Sequence, residues 1–206
     1  MKSCRRSYPN KPKSLYGMAV IVLMQSARRW RIFIAVVLLL GAGWTWLSRV
    51  PALGADVGQI PSPRVGFPAP DFALATLRGE RTRLAAQRGN VVIVNLWASW
   101  CGPCRAEMPA IQQVYLAYYD HGLRVLAVNS TIQDSEENAR AFTQELGLTF
   151  PVLLDQDGAV TRRYLVRALP STFVVDRRGV VRSVIFGGAS MAALQSAVEP
   201  LLKDAP

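Results

Sequence analysis

Residues 91–97, Val-Val-Ile-Val-Asn-Leu-Trp, form one continuous apolar, β-branched run. A run of this kind suits a central strand covered on both faces, because a strand with one wet face would alternate polar with apolar residues. The chain then reads Trp100-Cys101-Gly102-Pro103-Cys104, and a helical pattern follows from about Arg105 to Tyr119. A buried strand, a dithiol and a helix therefore come in immediate succession. Pro109 inside the helical pattern predicts a kink, because proline lacks an N–H and clashes with the preceding turn.

The rest of the C-terminal part alternates. Asp71–Leu77 reads as a short strand, Arg78-Gly79-Glu80 as a turn, and Arg81–Leu84 as the returning partner. Leu123–Asn129 is a second buried strand. Ser135–Leu146 is an amphipathic helix stopped by Gly147. A short strand at Phe150–Leu154 and a short helix at Ala159–Leu165 come next. Thr172–Val175 and Val180–Phe186 flank the turn Asp176-Arg177-Arg178-Gly179 as a hairpin, and Met191–Leu202 closes the chain as a helix. The order β-β-β-α-β-α-β-α-β-β-α gives an α/β sheet with parallel crossovers and an antiparallel final hairpin.

The net charge of +10 is concentrated at the start. Residues 1–31 hold Lys2, Arg5, Arg6, Lys11, Lys13, Arg28, Arg29 and Arg31 and no acid. This excess abuts the apolar run Ile32–Leu47, so membrane topology accounts for it better than nucleic-acid binding does. With Ser48 the run has about 17 residues, near the lower limit for a spanning helix. Trp44 and Trp46 stand at its far end, as interfacial aromatics do. The expected organisation is a cytoplasmic basic tail at 1–31, a transmembrane signal anchor at 32–48, a Pro/Gly-rich linker at 49–64 and a folded domain at 65–206. A cleaved leader is the alternative, with Ala52-Leu53-Gly54 a fair cleavage site. Either way the domain is exported. Leu15–Met24 is too short to span, and Met18 or Met24 could be the true start.

Cysteine attacks a disulfide as thiolate. At a helix N-terminus, free N–H groups and the macrodipole favour that anion at Cys101. Pro103 fits the first turn, where its missing N–H has no helical partner anyway, and Gly102 lets the backbone turn tightly. Cys101 is expected to be the more exposed thiol and the nucleophile, with Cys104 the resolving thiol one turn on. Glu107, a further turn along, either moves a proton at Cys104 or is an ordinary carboxylate at a helix start. Zinc needs four ligands from Cys, His or carboxylate, and beyond this pair Cys4 is the only other cysteine and His121 the only histidine. No metal or other cofactor is expected. His121, Glu145, Asp155 and Asp157 read as surface or turn residues. Pro170, in Leu169-Pro170-Ser171-Thr172, is either an ordinary trans turn proline or a cis proline exposing the Leu169 backbone to an extended substrate.

Asn95-Leu96-Trp97-Ala98-Ser99-Trp100-Cys101-Gly102-Pro103-Cys104-Arg105-Ala106-Glu107-Met108-Pro109 resembles the active-site segment of the thioredoxin superfamily. More narrowly, it resembles the TlpA/ResA/DsbE branch of membrane-anchored, extracytoplasmic thiol–disulfide oxidoreductases. Pro68-Ala69-Pro70-Asp71-Phe72, the segment 123–154 and Leu169-Pro170-Ser171-Thr172-Phe173 are similar to the same branch. The resemblance implies a thioredoxin fold with an N-terminal β-hairpin extension and an inserted helix-strand segment, preceded by one transmembrane helix. It also implies a reversible Cys101–Cys104 disulfide, a cis Pro170 and a functional Glu107. Trp100, Gly102, Pro103, Leu169 and Pro170 would then face the substrate. Implied partners are protein disulfides, among them apocytochrome c or copper-assembly proteins, and a membrane thiol carrier as electron donor. Three rival functions stand beside this one: a periplasmic thiol oxidase, a peroxidase like the peroxiredoxins, and a Cu(I) metallochaperone. The peroxidase would need a threonine where Ala98 stands.

Overall fold

The computed structural model describes residues 27–47 and 60–203. The basic tail before residue 27, with Cys4 and the apolar patch Leu15–Met24, and most of the expected linker lie outside the described residues. The chain divides into two units, Met1–Val57 and Gly58–Pro206.

In the first unit, α1 runs from Ala27 to Leu47. Its apolar side chains, including Phe33, Leu38, Leu39, Leu40 and Trp44, are exposed. Among the described residues no helix is long and apolar enough to cross a membrane. The apolar part of α1 starts only at Ile32 and is broken by Gly41, Gly43 and Thr45, and its roughly 16 residues rise about 24 Å, against about 30 Å of hydrocarbon.

The second unit is built on a five-stranded sheet with strand order β5-β4-β3-β6-β7. Its strands are β3 (Val91–Trp97), β4 (Leu123–Asn129), β5 (Val152–Leu154), β6 (Ser171–Val175) and β7 (Val181–Phe186). β3 and β4 pair in parallel, as do β4 and β5, whereas β6 and β7 are antiparallel to their neighbours. A separate antiparallel hairpin, β1 (Ala73–Ala75) with β2 (Arg81–Arg83), precedes the sheet. It joins the sheet edge where Leu77 N–H donates to the Val152 carbonyl at 3.0 Å. The helices are α2 (Gly102–Tyr118), α3 (Glu136–Glu145), α4 (Ala159–Arg163) and α5 (Met191–Lys203). The element order is the one expected, including the inserted helix-strand pair α3 and β5.

Every residue of β3 is buried, because both faces of the sheet are covered. The period-2 pleat sends Val91, Ile93 and Trp97 into a core with Met108, Ile111 and Val114 of α2, Phe142 of α3 and Leu194 and Val198 of α5. Val92, Val94 and Leu96 face the opposite core, with Phe72, Leu84, Val160, Tyr164 and Phe173. Helix α2 turns the stripe Cys104, Glu107, Met108, Ile111 and Val114 inward, at helical spacing. It continues through Pro109 as a single helix.

The pairing fixes where the site lies. The carboxyl ends of the parallel strands β3, β4 and β5 share one edge. The pairs Leu96–Ser171 and Ser171–Phe186 bring the start of β6 and the end of β7 to that same edge. The loops at 98–101, 130–135, 155–158, 166–170 and 187–190 therefore gather above it.

Candidate active site

Cys101 is the N-cap of α2, in extended conformation with φ −81° and ψ 106°. Its Sγ accepts a hydrogen bond from the Cys104 N–H at 3.2 Å, and the two cysteines form a disulfide. Pro103 occupies the first turn, as expected. Cys101 is 4 % exposed and Cys104 is fully enclosed. Around this small opening, Trp100, Gly102 and Pro103 are exposed. Gly102 corrects one expectation. Its φ is not left-handed and an added Cβ would meet nothing within 4 Å, so the turn does not require glycine. Its side-chain position is open space at the surface.

Two loops complete the surroundings. The Leu169–Pro170 bond is cis. Among the described residues neither the N–H nor the carbonyl of Leu169 has a hydrogen-bond partner. The Pro170 carbonyl accepts from Gly187 N–H at 3.0 Å, and the loop after β7 passes close to the Pro103 carbonyl at Gly188. Trp100 donates its Nε1–H to the Gln133 carbonyl at 2.9 Å, which fixes the indole against the loop after β4.

Glu107 is buried beneath the disulfide-bearing turn, on the same inward face of α2 as Cys104. Its Oε1 accepts from Asn95 Nδ2 and its Oε2 from Ala189 N–H, both at 2.7 Å. Burial pushes the carboxyl above its ordinary value, and the hydrogen bonds from Ala189 and Asn95 only partly offset this. Asn95 also donates to Thr172 Oγ1 at 2.9 Å, while its own Oδ1 has no partner. The Glu107 carboxyl thus sits within a chain of polar groups linking β3, α2, β6 and the loop after β7. The ordinary exposed carboxylate at a helix start is not what the structure contains.

A second carboxylate steadies the other side. Asp134 accepts from the Ser99 N–H and Oγ–H at 2.6 and 2.7 Å, from Asn129 Nδ2 at 2.8 Å and from the Ser135 N–H at 2.9 Å. Burial acts to raise its pKa, but these hydrogen bonds outweigh it and hold the carboxyl below its ordinary value. Nothing local in the sequence singled out Asn95, Thr172 or Asp134. The one available signal was a polar Asn inside an otherwise apolar strand.

The other titratable residues divide. Glu145 is on the surface, where it pairs with Arg105 at 2.7 Å. Asp157 is exposed and accepts from the Ala159 N–H. Asp155 opens the turn 155–158, where its carbonyl accepts from Gly158 N–H, but it is not at the surface. It is fully buried, because it caps α4 by accepting from the N–H groups of Val160 and Thr161 and from Thr161 Oγ1. His121 is exposed in the turn after α2, at the end remote from the cysteines. Among the described residues no three of His, Cys, Asp and Glu are grouped to hold a metal.

Residues 65–184 match the AhpC/TSA family. The chain belongs to that family. It is 36% identical over 162 residues to the thioredoxin-like protein YneN of Bacillus subtilis, covering 78% of this chain and 91% of the relative. It is 37% identical to the thiol-disulfide oxidoreductase ResA of Geobacillus thermodenitrificans, over 66% of this chain and 78% of the relative. Among solved structures it is similar to a Chlorobium tepidum protein described as a thiol:disulfide interchange protein DsbE. The TM-score is 0.63 and the identity 34%, with 68% of this chain and 98% of that one covered. The chain is an enzyme of the thiol–disulfide oxidoreductase class, with a thioredoxin-like α/β fold.

Proposed function

We propose that this family member reduces protein disulfides outside the cytoplasm, with Cys101 as nucleophile and Cys104 as resolving thiol. The observation that carries the reading is the position of Cys101 Sγ. It caps α2, accepts from the Cys104 N–H, and keeps a slight exposure of 4 % where Cys104 has none. A donor already directed at that sulfur, at the N-terminus of a helix, favours the thiolate over the thiol.

In the reduced enzyme the Cys101 thiolate attacks one sulfur of a substrate disulfide. The substrate S–S bond breaks, a mixed disulfide forms at Cys101, and one substrate thiolate leaves. Cys104 then loses its proton and attacks Cys101 Sγ. This closes the Cys101–Cys104 disulfide and releases the second substrate thiol, so two electrons have moved to the substrate. In this reading Glu107 takes the Cys104 proton and returns it when the enzyme is reduced again, supported by its burial on the same inward face of α2 as Cys104. A carboxyl with a raised pKa can hold or release a proton nearer neutrality than an ordinary one.

The setting completes the proposal. The apolar part of α1, preceded by arginines, acts as a short signal anchor in the bacterial inner membrane and leaves the domain in the periplasm. The partners are then protein disulfides such as those of apocytochrome c or copper-assembly proteins, with a membrane thiol carrier as electron donor. A peroxidase reading lacks a threonine hydroxyl at Ala98, and a copper site lacks a histidine beside the cysteines.

Trapping tests the reading. The Cys104→Ser variant, expressed in the native host, should accumulate a mixed disulfide through Cys101, and its partner identifies the substrate. Trapping through Cys104 in a Cys101→Ser variant, with none at Cys101, reverses the roles. A midpoint potential near about −270 mV supports a reductase, and one near about −120 mV supports the oxidase instead. Protease protection of the tail and the intact mass of the membrane fraction separate an anchor from a cleaved leader.

A further inference from the structure

Beside the disulfide lies a cleft of about 120 Å³, lined among others by Trp100, Ser130, Gln133, Arg167 and Leu169. Trp100 precedes Cys101 and Leu169 precedes Pro170, so a chain held with its sulfur at Cys101 has a flanking residue over this cleft. The wall is fixed by the hydrogen bond from Trp100 to the Gln133 carbonyl.

Two groups in the cleft lack partners. Ser130 is 1 % exposed, and its Oγ has no hydrogen bond. Its backbone is already engaged, since its N–H donates to the Trp97 carbonyl and its carbonyl accepts from Gln133. A buried hydroxyl left unpaired costs stability, and a group that reached it would recover that cost. Arg167 is exposed, and among the described residues no carboxylate pairs with it. The acids of the adjoining loops are committed elsewhere. Asp134 accepts from Ser99, Asn129 and Ser135, and Asp155 accepts from Val160 and Thr161. The residues lining the cleft therefore include an exposed cation and an enclosed, unpaired hydroxyl, and no acid.

We propose that this cleft is a specificity subsite for a carboxylate side chain. The preferred substrates are protein disulfides whose reacting cysteine has an Asp or Glu beside it. The acid pairs with Arg167 and accepts from Ser130 Oγ–H, and a lysine at that place meets Arg167 as a like charge. The inference rests on the reductase reading above and adds the chemistry of the substrate.

The test uses the full chain in detergent, reduced, against peptides whose single cysteine carries a thionitrobenzoate mixed disulfide. The residue next to that cysteine, on either side, is Glu, Gln or Lys. Attack of Cys101 on the peptide sulfur forms the enzyme–peptide disulfide and releases thionitrobenzoate, which stopped-flow absorbance follows. On one side of the cysteine, Glu should be preferred over Gln by about fivefold, the scale of an exposed charge pair. That preference should vanish near 1 M salt, where the Debye length is about 3 Å. Arg167→Gln should bring the Glu-to-Gln ratio to about one. Arg167→Glu should invert the order of Glu and Lys, and Ser130→Ala should lower the Glu-to-Gln ratio about twofold, as loss of one modest hydrogen bond does. Equal rates on all three peptides overturn the subsite, as does a Glu preference that survives Arg167→Gln. Failure to release thionitrobenzoate from any peptide overturns the reductase reading itself.

Discussion

Replacing Glu107 with glutamine removes one proton equilibrium and little else. Protonated glutamate and glutamine have the same shape, and each offers one carbonyl oxygen and a donor where the carboxylate has two acceptors. In the wild type two donors, Asn95 Nδ2 and Ala189 N–H, point at the carboxyl. The neutral forms can satisfy one of them directly. Asn95 can reverse its amide to serve the other, because its Oδ1 has no present obligation. The wild type and Glu107→Gln should therefore be nearly equal in stability at pH 4, below the ordinary value of 4.5. Burial raises the folded pKa, so the folded state holds this proton more tightly than the unfolded chain does. Stability associated with the protonated group is complete below pH 4.5 and is lost as pH rises through the folded pKa. Above that point the variant should be the more stable by about 1.4 kcal/mol for each unit of elevation. Urea denaturation of the oxidised protein at pH 4, 6 and 8, followed by tryptophan fluorescence, measures the difference directly. A stability gap that stays constant over that range, or that favours the wild type at pH 8, refutes the account of Glu107 as a buried carboxyl with a raised pKa. In the reduced enzyme the same substitution should remove one inflection from the pH dependence of the Cys104 step.

Asp134→Asn should destabilise the protein by about 1–3 kcal/mol at pH 7, because an amide cannot accept all the donors that converge there. Asp134 has a lowered pKa, so its contribution is present above 3.8 and fades as pH falls, and the gap measured by denaturation should narrow on acidification. Tyr164→Phe removes the hydroxyl that donates to the Pro70 carbonyl at 2.9 Å and leaves that buried acceptor unpaired, for about 1–3 kcal/mol by the same assay. Leu194→Ala opens a cavity where α5 meets the sheet and should cost about 2–5 kcal/mol, with a matching fall in urea midpoint.

The framework was legible because its signals are local. The strands Val91–Trp97 and Leu123–Asn129 have the limits that their apolar runs suggest, since burial is nearly continuous and the only polar residues within them are Asn95, Arg124 and the terminal Asn129. The helix over 136–145 is closed by Ser135 at one end, whose Oγ accepts from Asn138 N–H, and by Gly147 beyond the other. The polar interior of the site was less legible, because its partners come from distant parts of the chain. Asn95 reaches Thr172, 77 residues on, and Glu107 reaches Ala189, 82 residues on. No spacing rule relates such positions until the strand order is known. Asp155 misled for a related reason. An acid near a glycine turn reads as wet, yet α4 folds back so that this carboxylate caps it inside the protein.

All five strand ends that carry the site meet along one edge of the sheet, while the packed side chains lie on its two faces. This separates the parts that must stay constant from those free to vary. Apart from Asp134 and Pro170, the residues of loops 130–135 and 166–170 could be exchanged between relatives, altering which disulfides are accepted while leaving the two cores unchanged. A library confined to those two segments would be a compact way to retarget the enzyme.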